Sequence, residues 1–265
     1  MSIRTSRWPA GVPCWTDLMA PDLAAASAFY TSVLGWTVPE PDEQWGGCVV
    51  AQRNGADTVG IGPMQPGART AWTLYLATDD ADATTAAVTE HGGSVLAAPM
   101  DVGPLGRLAI VADPTGAIFG LWQAGTMIGA SLVNEPGGLY WEDLRSTDPK
   151  AAQAFYGAVF GYRFDPVDMA PDDYATFSLK GEQMPLGGAG GLMGSPADTP
   201  SHWLVYFAVA DTDEAVATAE GGGGKVLQAA SDTPWGRMAC LADPAGAVFM
   251  VMSASPSPQE PDLSG

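Results

Sequence analysis

Metal and thiol chemistry are thinly provided for in this chain. Its 265 residues include two histidines, His91 and His202, and three cysteines, Cys14, Cys48 and Cys240. The cysteines are odd in number, widely spaced and free of any C-x-x-C pair. Buried thiols in a reducing compartment are therefore expected, not a disulfide framework or a zinc cluster. What does recur is an aromatic ring beside a carboxylate. Trp15-Thr16-Asp17-Leu18 is echoed by Trp141-Glu142-Asp143-Leu144. Residues two apart on a strand share a face, so each copy offers an indole and a carboxylate side by side. Ring faces give a flat organic ligand its apolar contact, and the polar group fixes its orientation. A carboxyl held among aromatics, with its pKa raised, could also move a proton.

The elements that would carry these pairs come twice. Trp15 and Trp141 are 126 positions apart, and the same interval joins Phe29-Tyr30 to Phe155-Tyr156 and Gly35-Trp36 to Gly161-Tyr162. Further on, Trp72-Thr73-Leu74-Tyr75 matches Trp203-Leu204-Val205-Tyr206, and Gly92-Gly93-Ser94-Val95-Leu96 matches Gly223-Gly224-Lys225-Val226-Leu227. Asp113-Pro114-Thr115-Gly116-Ala117-Ile118-Phe119 returns as Asp243-Pro244-Ala245-Gly246-Ala247-Val248-Phe249. So ordered a set of matches marks a tandem duplication, with small insertions in loops. Within the first copy, Asp22 to Leu34 carries an acidic cap and an apolar stripe stopped by Gly35, which predicts a helix. Asp80 to Glu90 predicts a second helix, ended by His91-Gly92-Gly93. Trp72–Ala77 and Leu108–Ala112 predict strands. A β-α-β-β-β unit is expected about four times, twice per half, in an α+β fold.

A first domain is expected over 12–123 after an N-terminal extension, 1–11. A Gly-rich linker, 124–137, leads to a second domain, 138–253, and Ser-Pro repeats mark 254–265 as a flexible tail. The formal net charge of −19 disfavours both a nucleic-acid backbone and an anionic lipid surface as partners. No run of about 20 apolar residues suggests a membrane helix, so a cytoplasmic location is expected.

The aromatic-x-Asp-Leu-x-x-x-Asp opening, the helix with Phe-Tyr, the Gly-Gly-x-Val-Leu and the Asp-Pro-x-Gly-Ala-x-Phe together resemble modules of the vicinal oxygen chelate family, which includes glyoxalase I, bleomycin-resistance protein and extradiol dioxygenase. The resemblance spans about Val12 to Met252. It implies two domains, each of two βαβββ modules whose mixed sheets curve around a cleft. In active members that cleft holds a divalent metal through His or Glu on the first and last strands. Carried onto this sequence, the first-strand ligand positions are Trp15, Thr73, Trp141 and Leu204. Two last-strand positions are Gly120 and Met250, with the others near Gly60 and Gly190. None is a metal ligand, and His202 lies beside one such position without companions. No metal and no cofactor is therefore expected.

If those positions face the clefts, Trp15, Asp17, Tyr75 and Trp122 line the first, and Trp141, Asp143, Tyr206 and Met250 the second. Leu18, Leu74, Leu144 and Val205 would then face the helices. Glu142 and Arg145 have no counterparts in the first half, so the two clefts need not share a function. Arg107 and Arg237 begin equivalent strands and are expected in structural ion pairs, the alternative being contact with an anionic ligand at a cleft mouth. The resemblance implies either a metal-independent small-molecule-binding protein or a metal-independent enzyme with Asp17 or Asp143 as proton shuttle. A metal-dependent glyoxalase or dioxygenase would need the absent ligands. Fusion of four modules can satisfy within one chain the pairing that two chains often provide, so a monomer is expected, with a dimer as the alternative.

Overall fold

Two open mixed sheets, one per half of the chain, stand on a single shared layer of helices. The computed structural model describes residues 3–41, 45–65, 67, 69–168, 170, 173–196 and 198–254. All but the first residue of the expected tail lies outside them. The first half runs β1 (Pro13–Ala20), α1 (Leu23–Leu34), β2 (Val49–Arg53), β3 (Ala56–Pro63), β4 (Trp72–Ala77), α2 (Ala81–Glu90), β5 (Ser94–Val102), β6 (Gly106–Ala112) and β7 (Ile118–Ala124). The second runs β8 (Leu139–Arg145), α3 (Pro149–Phe160), β9 (Tyr162–Pro166), β10 (Ala175–Leu179), β11 (Gly187–Gly190), β12 (His202–Ala208), α4 (Thr212–Gly221), β13 (Lys225–Thr233), β14 (Gly236–Ala242) and β15 (Val248–Ser253). The strand orders are β2-β3-β1-β4-β7-β6-β5 and β13-β14-β15-β12-β8-β11-β10-β9. Three of the four modules are complete. In the first module the strand after α1 shrinks to one bridge, Thr37 to Gln52, where the second half builds β9.

Both helices that follow a first strand are capped as their sequences require. Asp22 accepts from Ala25 N at 2.9 Å and Asp148 from Ala151 N at 3.0 Å, each filling an N-terminal donor's need. Gly35 and Gly161 end α1 and α3 at φ 68° and 71°, a left-handed conformation that a side chain would strain. Leu18, Leu74, Leu144 and Val205, each no more than 1% exposed, turn to the helix side.

That helix side is one core built by exchange between the halves. Phe29 of α1 lies on Gly224 after α4, whose added Cβ would stand 3.0 Å from the ring; Phe155 of α3 lies on Gly93 after α2 at the same distance. Tyr30 Oη accepts from Trp72 Nε1 at 3.3 Å and donates to Asp243 Oδ2 of the other half at 3.1 Å. The mirror arrangement brings Trp203 Nε1 to Tyr156 Oη at 2.9 Å, with Tyr156 under the field of Asp113. Trp36 Nε1 donates to Gly137 O at 2.6 Å and Tyr162 Oη to Gly11 O, each clasping the segment that leads into the other half's first strand. The same Asp113 and Asp243 fold their own Asp-Pro-x-Gly turns by accepting the N–H groups of Ala117 and Ala247. The repeated motifs thus form the joint between halves. Among the described residues no helix is long and apolar enough to cross a membrane.

Tyr30→Phe should leave the Trp72 N–H and Asp243, which is 3% exposed, each short of a partner. A loss of about 1–3 kcal/mol is expected, read as a lower urea midpoint at unchanged m-value. An unchanged midpoint would show that this joint carries no stability.

Candidate functional site

The face of each sheet that bears no helix carries the same small device at its centre. In the first half, β1 and β4 run antiparallel and set Trp15 opposite Tyr75 and Asp17 opposite Thr73. Asp17 also pairs with Gly60 on β3, and Tyr75 with Gly120 on β7. Tyr75 Oη donates to Asp17 Oδ2 at 2.7 Å. In the second half, Trp141 stands opposite Tyr206 and Asp143 opposite Leu204, with Gly188 beside Asp143 and Met250 beside Tyr206. Tyr206 Oη donates to Asp143 Oδ2, again at 2.7 Å. Trp15, Asp17, Tyr75 and Trp122 are thus brought together in one cleft, and Trp141, Asp143, Tyr206 and Met250 in the other.

The two Asp–Tyr pairs differ in what surrounds them. Asp143 accepts four hydrogen bonds: Trp141 Nε1 at 3.0 Å and Tyr174 Oη at 2.8 Å on Oδ1, Arg145 Nη2 at 2.5 Å and Tyr206 Oη on Oδ2. Four donors use up the acceptor directions of a carboxylate. Asp17, among the described residues, accepts from Tyr75 alone. Met19 occupies the place of Arg145, and Cys48, next to β2, the place that Tyr174 holds next to β10. Burial pushes the Asp17 carboxyl up to about 7, with the single hydrogen bond from Tyr75 pulling part of the way back. Glu142, on the opposite face of β8 from Asp143 and 7% exposed, is pushed up to about 8 by burial and then by the charge of Asp143.

The metal positions implied by the resemblance do not suit a divalent ion. They are held by Trp15, Gly60, Thr73 and Gly120 in one cleft and by Trp141, Leu204 and Met250 in the other. The fourth position of the second cleft falls on Gly188, because register pairs Gly188 with Asp143 and the expected Gly190 with Arg145. Apart from the lone Thr73 hydroxyl, these positions offer indole, aliphatic and thioether groups, which are poor partners for a hard or borderline cation. A Cβ at Gly120 would run into the Tyr75 ring, and one at Gly188 into the Tyr174 hydroxyl and Asp143. Among the described residues no group of three or more His, Cys, Asp and Glu could hold an ion.

Access also separates the clefts. Trp15, Tyr75 and Trp122 are only 5–6% exposed. The chain's own Trp8, Met127 and Ala130 pack onto them, with Trp122 Nε1 donating to Met127 O at 2.9 Å and Trp8 Nε1 to Ala130 O at 3.1 Å. At the other side Trp45 lies over Gly103 in the β5–β6 turn. The segments expected to be an extension and a linker thus fill one end of the first cleft. In the second, Trp141 and Tyr140 remain partly exposed beside Tyr206, Met250, Met252 and Cys240. Arg107 pairs with Asp82 and Asp101, and Arg237 with Asp213 and Asp232, so both serve the ion pairs expected of them. His91 ends α2, and His202 Nδ1 lies 2.8 Å from Pro200 O, its pKa lowered by burial.

Arg145 and Tyr174 belong to the second site but were not assigned to it from the sequence. Arg145 continues the Trp141, Asp143 alternation and was legible on that ground; Tyr174 arrives from a separate strand start, which no local pattern announces.

Comparison with known proteins agrees with this fold. Residues 14–121 match the Glyoxalase/Bleomycin resistance protein/Dioxygenase superfamily, and residues 143–252 match the Glyoxalase-like domain. The chain is 40% identical over 265 residues to "Putative glyoxylase CFP32" of Mycobacterium tuberculosis, covering 97% of this chain and 99% of the relative. It is 38% identical over 270 residues to the anthracycline biosynthesis protein DnrV of Streptomyces peucetius, covering 93% and 94%. In fold it is similar to the Mn(II)-bound glyoxalase from Novosphingobium aromaticivorans, with a TM-score of 0.65, 16% identity and coverage of 92% of this chain and 82% of that one. It is also similar to the 2,3-dioxygenase LapB from Pseudomonas sp. KL28, with a TM-score of 0.64, 16% identity and coverage of 95% and 96%.

The raised carboxyls set a pH dependence. Between the ordinary carboxyl range and their folded values, about 7 for Asp17 and about 8 for Glu142, the folded chain keeps protons that the unfolded chain releases. Stability should therefore fall as pH rises through that window, by at most about 1.4 kcal/mol per pH unit for each group, and level off above it. Urea midpoints measured from pH 5 to 9 should show the slope, and Asp17→Asn with Glu142→Gln should flatten it. An equal slope in the double variant would assign it elsewhere.

Proposed function

The chain belongs to the glyoxalase/bleomycin resistance protein/dioxygenase superfamily, and from that premise we propose that it is a metal-independent small-molecule-binding protein holding a flat aromatic metabolite in its second cleft. The observation that carries this reading is the Asp143–Tyr206 hydrogen bond at the centre of the cradle, fixed by Trp141, Tyr174 and Arg145. Where an ion would need converging donors, this cleft offers an indole, two phenols and two thioethers around a carboxylate that is already saturated. Such a wall stacks against a planar ring and orients it by few polar contacts. A relative named for anthracycline biosynthesis supports a planar aromatic ligand. The pairing of all four modules in one chain supports a monomer.

A second reading, a metal-independent enzyme, is favoured by one observation in the first cleft. Asp17 keeps lone pairs free and holds its proton to about pH 7, the range in which a carboxyl can both give and take one. Asp143 has no such freedom, so proton transfer would fall to Asp17 alone.

Tryptophan fluorescence titrated with hydroxylated naphthalenes and anthraquinones, alongside elemental analysis of the purified protein, tests both readings. Saturable quenching insensitive to EDTA, weakened at least about tenfold by Trp141→Ala, is expected. Stoichiometric divalent metal whose removal abolishes quenching would overturn the proposal. Turnover lost in Asp17→Asn with quenching retained would establish the second reading.

A further inference from the structure

Among the described residues, Arg145 holds a buried donor that the constellation around Asp143 leaves over. Its side chain is 10% exposed and that of its partner Asp143 is 3% exposed. Arg145 Nη2 serves both Asp143 Oδ2, at 2.5 Å, and Tyr206 Oη, at 3.1 Å, while Nη1 is buried and, among the described residues, has no hydrogen-bond partner. A guanidinium N–H without an acceptor is costly to bury, so an oxygen placed at Nη1 would be stabilising. Arg145 shares the cleft face of β8 with Trp141 and Asp143, so that oxygen would belong to a molecule lying against the Trp141 ring.

The neighbours decide which kind of oxygen. Asp143 already balances the charge of Arg145, and the chain as a whole carries −19. The other titratable groups under the field of Arg145 are neutral at physiological pH. His202 has its pKa lowered, the Cys240 thiol is pushed up to about 11, and Tyr174 and Tyr206 are raised. Met250 and Met252 complete the wall. A second anion beside Asp143 would meet repulsion and no net positive charge. A neutral acceptor meets a directed N–H and nothing adverse.

We infer that the second cleft recognises neutral aromatic ketones or quinones, with a carbonyl oxygen on Arg145 Nη1 and the ring system on Trp141. This rests on the binding function proposed above and adds the chemical class of the ligand. The first cleft, with Met19 in place of Arg145, has no equivalent donor and would show no such preference.

Three probes of one shape and different polarity test it: 2-acetonaphthone, 2-ethylnaphthalene and 2-naphthoate, titrated into the full chain by calorimetry or fluorescence. The wild-type protein should bind 2-acetonaphthone at least about tenfold tighter than 2-ethylnaphthalene and tighter than 2-naphthoate. In Arg145→Met the ketone-over-hydrocarbon ratio should collapse to within about twofold of one, and Arg145→Lys should restore part of it. Equal binding of ketone and hydrocarbon by the wild-type chain would overturn the inference while leaving small-molecule binding intact, the spare N–H then being met by water. Tighter binding of 2-naphthoate would overturn it in favour of an anion site. No binding of any probe would overturn both this inference and the function it rests on. Should Arg145→Met fail to fold, the wild-type ratios alone decide.

Discussion

The structure depends on one reciprocal clasp. Each half lends a Phe-Tyr pair to the other: the Phe lies on a glycine behind the other half's second helix, and the Tyr lies against the aspartate of its Asp-Pro-x-Gly turn. A ring can approach backbone that closely only where no Cβ intervenes, and a buried phenol can enter a core only if its hydroxyl is satisfied. Both requirements are met twice, with Trp72 and Trp203 supplying the remaining donors. Because the helix faces of both sheets are consumed in this joint, the paired aspartates and tyrosines lie on the opposite faces.

On a common scaffold, the two clefts differ by few side chains. Both clefts set an aspartate and a tyrosine 2.7 Å apart on neighbouring central strands, with a tryptophan opposite the tyrosine. Moving from Asp17 to Asp143, a methionine becomes an arginine, a cysteine gives way to a tyrosine, and the tryptophan N–H turns onto the carboxylate. Those changes convert a carboxyl that keeps its proton to about pH 7 into an acceptor with every direction occupied. Low dielectric makes each added or missing donor count for more than it would in water. The packing of Trp8, Met127 and Ala130 onto the first cleft reinforces the division.

Much of this was legible in the residues, and the parts that were not share a cause. Period and capping placed the helices at Asp22 and Asp80, and strand parity put Trp15 with Asp17 and Trp141 with Asp143 on the cleft faces. The motifs that announced the duplication gave no hint that they hold the halves together, because a contact between Phe29 and Gly224 has no local signature. Tyr174 and the shift from Gly190 to Gly188 depend on register between strands far apart in sequence, which hydrophobic pattern leaves open. The Gly-rich segment after Ala124 read as a linker by composition, yet Ala130 and Leu132 are fully buried and bonded to the first sheet. Glycine there marks close approach to Cys14 O as much as freedom to bend.

A metal cradle concentrates positive charge where neutral strands would otherwise meet, and its donors are arranged around that charge. Take the charge away and the inward-facing residues must satisfy one another, since a buried carboxylate without partners is expelled or neutralised. The second cleft takes the route of partners: Arg145, Tyr206, Tyr174 and Trp141 all converge on Asp143, and the sum is a neutral network that leaves Arg145 Nη1 over. The first takes the route of neutralisation: Asp17 keeps a proton and one phenol. Each network leaves something different over: a buried guanidinium nitrogen in the one case and a protonated carboxyl in the other, so the two halves of a duplicated chain differ at their centres without any change of fold.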